Sequence, residues 1–203
     1  MYKLHPRNFV SASITLCEAF YNYPIFEYII PDPTYRKNNL KYLCHFLLRL
    51  GNARGEVITP TETIEGVSIW FSSDKTNISG IEAIQAGLLK LPFQVGLNSF
   101  RRFMKIGSIK TKKRAAIIYR PYWLCDMIGV NPISQKLGFG GQMFNAKLKE
   151  FDESNMPCYL ETSKHSNIHF YKKFGFTVLH EYKIHNINVY CLLREPDINI
   201  LKY

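Results

Sequence analysis

Apolar residues recur every three or four positions at Phe9, Ala12, Leu16 and Phe20, which predicts an amphipathic helix over 8–21. Pro24, Pro31 and Pro33 mark a turn-rich stretch after it. Asp32 followed by Pro33 has the form of a helix cap and first residue. Leu40, Leu43, Phe46, Leu47 and Leu50 then supply an apolar face, and Gly51 offers a stop. Glu56–Thr59 and Gly66–Phe71 read as a hairpin of two strands. Ile81, Ile84 and Leu88 suggest a helix ending before Pro92, and a second helical pattern runs from Phe93 towards Arg114.

The second half is more regular. Trp123–Val130 is a nearly continuous apolar strand, and a glycine-bearing loop follows it. Phe144, Leu148 and Phe151 place a helix over 140–152, and Cys158–Thr162 is a short strand. Asn167–Phe174 reads as a short helix stopped by Gly175, with Asn167 at its cap. Phe176 to Ile184 and Ile187 to Leu193 alternate as a hairpin across His185 and Asn186. A strand, a crossover helix and a second strand make a βαβ unit, so strands 123–130 and 158–162 should be parallel. The terminal hairpin should be antiparallel. The expected fold class is α/β (α+β), one domain over 1–203 with a mixed sheet flanked by helices.

Composition changes this picture little. Of 203 residues, 46% are hydrophobic and 14% aromatic, enough for a packed core and too many for disorder. No apolar run approaches the ~20 residues that a membrane span needs, and the first residues lack the form of a signal peptide. A soluble, cytoplasmic protein is expected, with no membrane partner; assembly as a homodimer stays open. Cys17, Cys44, Cys125, Cys158 and Cys191 are scattered, without C-x-x-C spacing, so neither a disulfide framework nor a metal site is expected. The net charge of +10 favours anionic ligands, and a phosphate-rich one would suit it. Seven Lys or Arg fall within 101–114, which reads by default as solvated helix surface. Nucleic-acid binding would want more stacking aromatics than Phe100 and Phe103 there, and no nucleic-acid partner is expected.

The candidate chemistry lies in the loop Val130-Asn131-Pro132-Ile133-Ser134-Gln135-Lys136-Leu137-Gly138-Phe139-Gly140-Gly141. A strand ends, glycines cluster, and a helix begins, which exposes main-chain N–H groups and the positive end of a helix dipole. Such a corner takes a pyrophosphate. A phosphate-binding P-loop would need Lys and Ser or Thr after the last glycine, where Gln142 and Met143 stand. A dinucleotide fingerprint would need glycine at Met143, although Glu161 lies about 20 residues on, where a ribose-binding acid would sit.

Val130-Asn131-Pro132 followed by Gln135-Lys136-Leu137-Gly138-Phe139-Gly140 resembles the Gln/Arg-x-x-Gly-x-Gly/Ala segment of the GCN5-related N-acetyltransferase (GNAT) family. A second block, Asn167-Ile168-His169-Phe170-Tyr171-Lys172-Lys173-Phe174-Gly175-Phe176, is similar to that family's N-x-x-x-Phe-Tyr-x-x-x-Gly-Phe segment. The two stand in the family's order. Tyr122-Trp123-Leu124, Gly129-Val130 and Leu160-Glu161-Thr162-Ser163 look like the subset around puromycin N-acetyltransferase, while Lys136-Leu137 departs from the Gly-Lys of many relatives.

The resemblance implies a mostly antiparallel central sheet with splayed central parallel strands, acetyl-CoA as co-substrate, and an amine acceptor. It implies main-chain contacts to acetyl-CoA from Ile128, Gly129 and Val130, with the Val130 N–H near the thioester oxygen. It further implies cofactor contacts from Gln135, Lys136, Leu137, Gly138, Phe139, Gly140, Gly141, Asn167 and Phe170. Tyr171 matches the family's tyrosine acid. Glu161 is expected as the base; Asp126, His165, His169 or a water chain are the alternatives. A bulge at Gly129 would account for the splay. The acceptor is expected to be a primary amine of a small molecule. A non-catalytic acyl-CoA-binding module and a protein lysine or N-terminal acetyltransferase are the competing readings.

Overall fold

The computed structural model describes residues 1–197. Seven strands form one sheet: β1 (Tyr2–Lys3), β2 (Glu56–Thr59), β3 (Gly66–Ser72), β4 (Trp123–Val130), β5 (Cys158–Thr162), β6 (Thr177–Ile184) and β7 (Ile187–Arg194). Their spatial order is β1-β2-β3-β4-β5-β7-β6. Every pairing is antiparallel except β4 with β5. The mixed sheet, the parallel central pair and the terminal hairpin are as the sequence predicts. A doubly wound dinucleotide fold is ruled out, because its sheet is mostly parallel.

Eight helices cover the sheet: α1 (Phe9–Phe20), α2 (Pro24–Ile29), α3 (Pro33–Arg54), α4 (Gly80–Ala86), α5 (Leu91–Val95), α6 (Leu97–Ile117), α7 (Phe139–Glu153) and α8 (Ser166–Lys172). The sheet separates two cores. On one face, α1 to α6 bury Leu16, Leu40, Leu43, Ile69 and Tyr159. On the other, α7 and α8 bury Phe144, Phe151, Ile168 and Tyr171 against Trp70 and Leu160. Phe144 stacks on Phe174 and meets Trp70, Phe170, Tyr171 and Phe176 edge-on. Burying one such ring contributes about 1.5–3 kcal/mol. Two ion pairs fix α7: Lys147 reaches Glu56 of β2 at 2.7 Å, and Asp152 takes both arms of Arg194 of β7 at 2.6 and 2.8 Å.

Several local expectations change. The stretch after Pro24 is the short helix α2, which Pro24 starts. Asp32 does cap α3, accepting from the Tyr35 N–H at 2.7 Å. Gly51 does not stop that helix, which runs to Arg54 with Gly55 as its cap. A Cβ at Gly51 would meet Ile69 Cγ2 at 2.5 Å and Val57 Cγ2 at 2.9 Å, so glycine here lets α3 lie close on β2 and β3. The pattern from Phe93 is broken at Gly96 (φ +78°), giving α5 and α6. Asn167 lies inside α8 rather than at its cap, which is His165.

The bulge lies three residues before Gly129, the place where it was expected. Gly129 pairs regularly with Val67, whereas Ile69 faces Met127 and Trp70 faces Cys125, leaving Asp126 as the extra residue of β4. Gly129 has a different purpose. A Cβ there would meet Phe20 Cε2 at 2.8 Å and Ala19 Cβ at 2.9 Å, so its absence lets α1 rest on the strand.

Gly51→Ala tests the close approach. Alanine favours a helix interior by about 1 kcal/mol over glycine. Here the clash with β-branched neighbours should reverse that sign and cost about 1–3 kcal/mol, read as a lower denaturant midpoint at unchanged slope.

Candidate active site

β4 and β5 pair over only three residues, ending at Cys125 with Leu160. Beyond that point β4 continues to Val130 with β3 on one side and no strand on the other. The two strands therefore splay, and the main chain of Asp126 to Val130, including Ile128, Gly129 and Val130, borders a gap. Asp126 and Glu161 are the first residues of each strand past the last pair.

On the α7 side of the gap lies the glycine loop. A 3-10 turn over Pro132–Ser134, capped by Asn131, carries the chain out of β4. Gln135 Nε2 donates to the Val130 carbonyl oxygen at 3.1 Å, tying the loop back to the strand. Lys136 and Gly138 both adopt left-handed backbone (φ +67° and +89°). Gly138 precedes α7, and no side chain caps the helix and no acidic residue stands in its first turn. The first intrahelical bond runs from Gln142 N–H to Gly138 O, so the N–H groups of Phe139, Gly140 and Gly141 are available to a ligand. Leu137 is exposed. A Cβ on Gly140 or Gly141 would meet Phe170 or Phe174 only at 3.6 and 3.5 Å, so the helix start is lined rather than blocked by these rings. An open helix start, free of carboxylates and next to an unoccupied strand edge, fits the pyrophosphate and pantetheine arm of acetyl-CoA.

Tyr171 faces the same gap from α8 and is 7% exposed. Burial, and after it Tyr23 and Cys125, push its phenol well above the ordinary tyrosine range; the Asn167 amide, hydrogen-bonded to it, acts the other way. It is protonated at neutral pH. Asn167 also donates to Thr162 Oγ1 at 3.4 Å, so α8 is tied to the tip of β5. Tyr23 reaches that tip from the other side: its hydroxyl lies 2.9 Å from Thr162 Oγ1 and accepts from the Ser163 N–H at 2.9 Å.

Glu161 is saturated. Its Oε1 accepts from Arg114 Nε at 3.2 Å and Tyr159 hydroxyl at 3.1 Å, and its Oε2 from Tyr182 hydroxyl at 3.5 Å, with Lys110 Nζ at 3.3 Å. Burial alone would raise its pKa, but Lys110 and Arg114 outweigh that and hold the carboxyl below the usual range. The side chain is 2% exposed. Lys110 and Arg114, two members of the basic run expected as solvated surface, are thus turned inward. Their signal was present in sequence: Phe103, Ile106, Lys110 and Arg114 follow helical spacing on one stripe. Asp126, in contrast, acts on Lys110 and Arg114 through space rather than through a direct bond. His165 and His169 are exposed, with His165 edge-on to Tyr190. All five cysteines are buried with free thiols. Burial raises Cys125 and Cys158 well above the ordinary thiol range, which disables them as nucleophiles. Among the described residues no three His, Cys, Asp or Glu side chains gather as a metal set. No helix among them is long and apolar enough to cross a membrane.

Glu161→Gln would leave Lys110 and Arg114 buried beside a neutral partner, at a cost of about 3–5 kcal/mol. The pH dependence follows from the lowered carboxyl. Its stabilisation is full above the unfolded pKa near 4.5 and is lost as pH falls through the lower folded value. The variant should therefore show a shallower loss of stability on acidification below about pH 4.5, measured by denaturant titration across pH 3–6.

No protein-family model matches the chain. An uncharacterised N-acetyltransferase of Schizosaccharomyces pombe is 20% identical over 205 residues, covering 96% of this chain and 83% of that protein. Among solved structures, a histone acetyltransferase HPA2-related acetyltransferase from Corynebacterium glutamicum superposes with a TM-score of 0.67 at 17% identity, covering 97% of this chain and 96% of the other. Arylalkylamine N-acetyltransferase 2 from Aedes aegypti gives 0.59 at 10% identity over 97% of this chain and 98% of its own. Naa20 from Chaetomium thermophilum, solved with a bisubstrate analogue, gives 0.52 at 12% identity over 99% of this chain and 88% of its own. With its splayed β4 and β5, its glycine loop and these likenesses, the chain has the GNAT fold.

Proposed function

We propose that the protein is an N-acetyltransferase that moves an acetyl group from acetyl-CoA to a primary amine of a small molecule, by direct attack in a ternary complex. The observation that carries this is the gap between β4 and β5, which has an anion-binding helix start on one face and a chamber of about 430 Å³ on the other. Acetyl-CoA supplies an activated thioester. The residues of the chain divide the remaining work. Gln135 to Gly141 and the open edge of Ile128 to Val130 hold the co-substrate, Asn167 and Phe170 flank it, and the Val130 N–H offers a donor to the developing oxyanion. Such a donor is worth about 3 kcal/mol in the transition state. The amine nitrogen bonds to the acetyl carbon, the carbon–sulfur bond breaks, and Tyr171 gives its proton to the departing thiolate.

The amine must lose a proton. Glu161 was the sequence-based choice, but accepting one would mean releasing Lys110 or Arg114, the two cations that hold its carboxyl low. We assign Glu161 to fixing that cation pair beside the gap. The pair disfavours a further positive charge close by and so favours the neutral, nucleophilic amine. Asp126 faces the same two cations but holds neither in a direct bond, so it can take the proton without releasing one.

The small-molecule reading draws its support from the size and largely apolar lining of the chamber, to which α4 contributes Gly80 and Ala83 and α6 contributes Phe103 and Ile106. Likeness to the arylalkylamine acetyltransferase agrees with it, and likeness to the histone acetyltransferase HPA2-related protein keeps a protein acceptor as the alternative.

Calorimetric titration with acetyl-CoA, with NAD as control, should give binding for the first alone. Tyr171→Phe should then lower kcat by about 100-fold while acetyl-CoA affinity stays within about twofold. Weakened binding at unchanged kcat would exclude the acid role.

A further inference from the structure

The chamber continuous with the gap is walled mostly by apolar side chains, with hydroxyls of Tyr23, Thr76, Ser79 and Thr111 among them. Phe20, Phe26, Phe46, Phe71, Phe103 and Ile106 line it from α1, α2, α3, β3 and α6. Its volume of about 430 Å³, which includes the gap beside Ile128 and Tyr171, falls within the range of small-ligand sites. Charge enters only at the sheet end, through Lys110, Arg114, Glu161 and Asp126. Three of these four satisfy one another. Those three sum to one positive charge, which Asp126 balances, so a second ammonium on a ligand would find no further carboxylate among the lining residues. Asp126 feels Lys110 and Arg114 through space but is bonded to neither, so its carboxylate is the one left to contact a cationic group. It is half-buried, it lines the chamber, and the β4 bulge puts it at the mouth of the gap.

We infer that the acceptor is a compact apolar monoamine, an aralkyl or alkyl primary amine, whose nitrogen is received by Asp126 and whose tail fills the apolar chamber between α3, α4 and α6. This rests on the acetyl-transfer reading above and narrows its substrate. A polyamine would bring an unmatched charge against Phe46 and Phe103. A lysine side chain on a protein would have to reach past α6. An apolar tail instead removes its own surface from water, which is worth about fourfold in affinity for each methylene buried.

The test is a series of n-alkylamines from propylamine to hexylamine, with 2-phenylethylamine, spermidine and a lysine-bearing peptide, assayed by release of free CoA thiol. The expected result is a kcat/KM that rises about three- to fourfold per methylene, is high for 2-phenylethylamine, and is at least about 100-fold lower for spermidine and the peptide. Ala83→Phe, which narrows the chamber from α4, should reduce the ratio of kcat/KM for 2-phenylethylamine over propylamine by at least about tenfold. Asp126→Asn, which removes both the amine's contact and the proton acceptor, should raise KM and lower kcat for every amine while acetyl-CoA affinity stays as it was. A flat alkyl series, or preference for spermidine or the peptide in a protein that binds acetyl-CoA, overturns the inference while the transfer reading stands. Absent acetyl-CoA binding would overturn the transfer reading. Amine binding is therefore also titrated without acetyl-CoA, where failure of 2-phenylethylamine to bind more tightly than propylamine counts against the chamber in its own right.

Discussion

The structure depends on how far two parallel strands stay together. Three residue pairs join β4 to β5, and the extra residue Asp126 then turns β4 away. A sheet must otherwise satisfy every main-chain N–H and C=O along its strands. Stopping the ladder in mid-sheet creates a row of unsatisfied groups at depth, which only a ligand with extended polar structure can complete. The glycine loop, the buried phenol of Tyr171 and the chamber are all arranged around that interruption.

Electrostatics divide along the same line. The α7 side presents N–H groups and a helix start without carboxylates. The α6 side holds two cations and two carboxylates in largely apolar surroundings, where Coulomb terms are several times stronger than in water. Only three of those four charges are bonded together. Gly129 serves the separation as well, since its missing side chain lets α1 close the chamber side of the strand with Leu16, Ala19 and Phe20.

The parts that could be read from sequence are those encoded locally. Strands 123–130 and 158–162 have the bounds their apolar runs predict, and the glycine loop declares itself because it works through main chain rather than through particular side chains. The Asp32 cap is local in the same sense. The chamber was not legible, since it is assembled from faces of α1, α2, α3, α4 and α6 that meet only in the folded chain. Lys110 and Arg114 looked like two more charges in a basic run, and only the phase of α6 against the sheet turns them inward. Asp126 stood only among the alternative bases; the register slip that gives it a place is set by β3, more than 50 residues earlier. Helix α2 is too short to show a period, and Gly51 resembles a stop unless the strands beneath it are known.

The order of strands carries a consequence for how the protein is made. β7 lies between β5 and β6, so the last strand of the described chain inserts beside β5 and supplies five of its residue pairs. Until it is synthesised, β5 is held to the sheet by three pairs alone, and Asp152 near the end of α7 has no Arg194 to neutralise it. During synthesis from the N-terminus, the cleft is thus among the final features to form, and its apolar walls stay open to solvent and to chaperones until then. A ribosome that stalls short of β7 leaves behind the helices and a sheet of β1 to β5, with the edge of β5 that β7 would cover exposed.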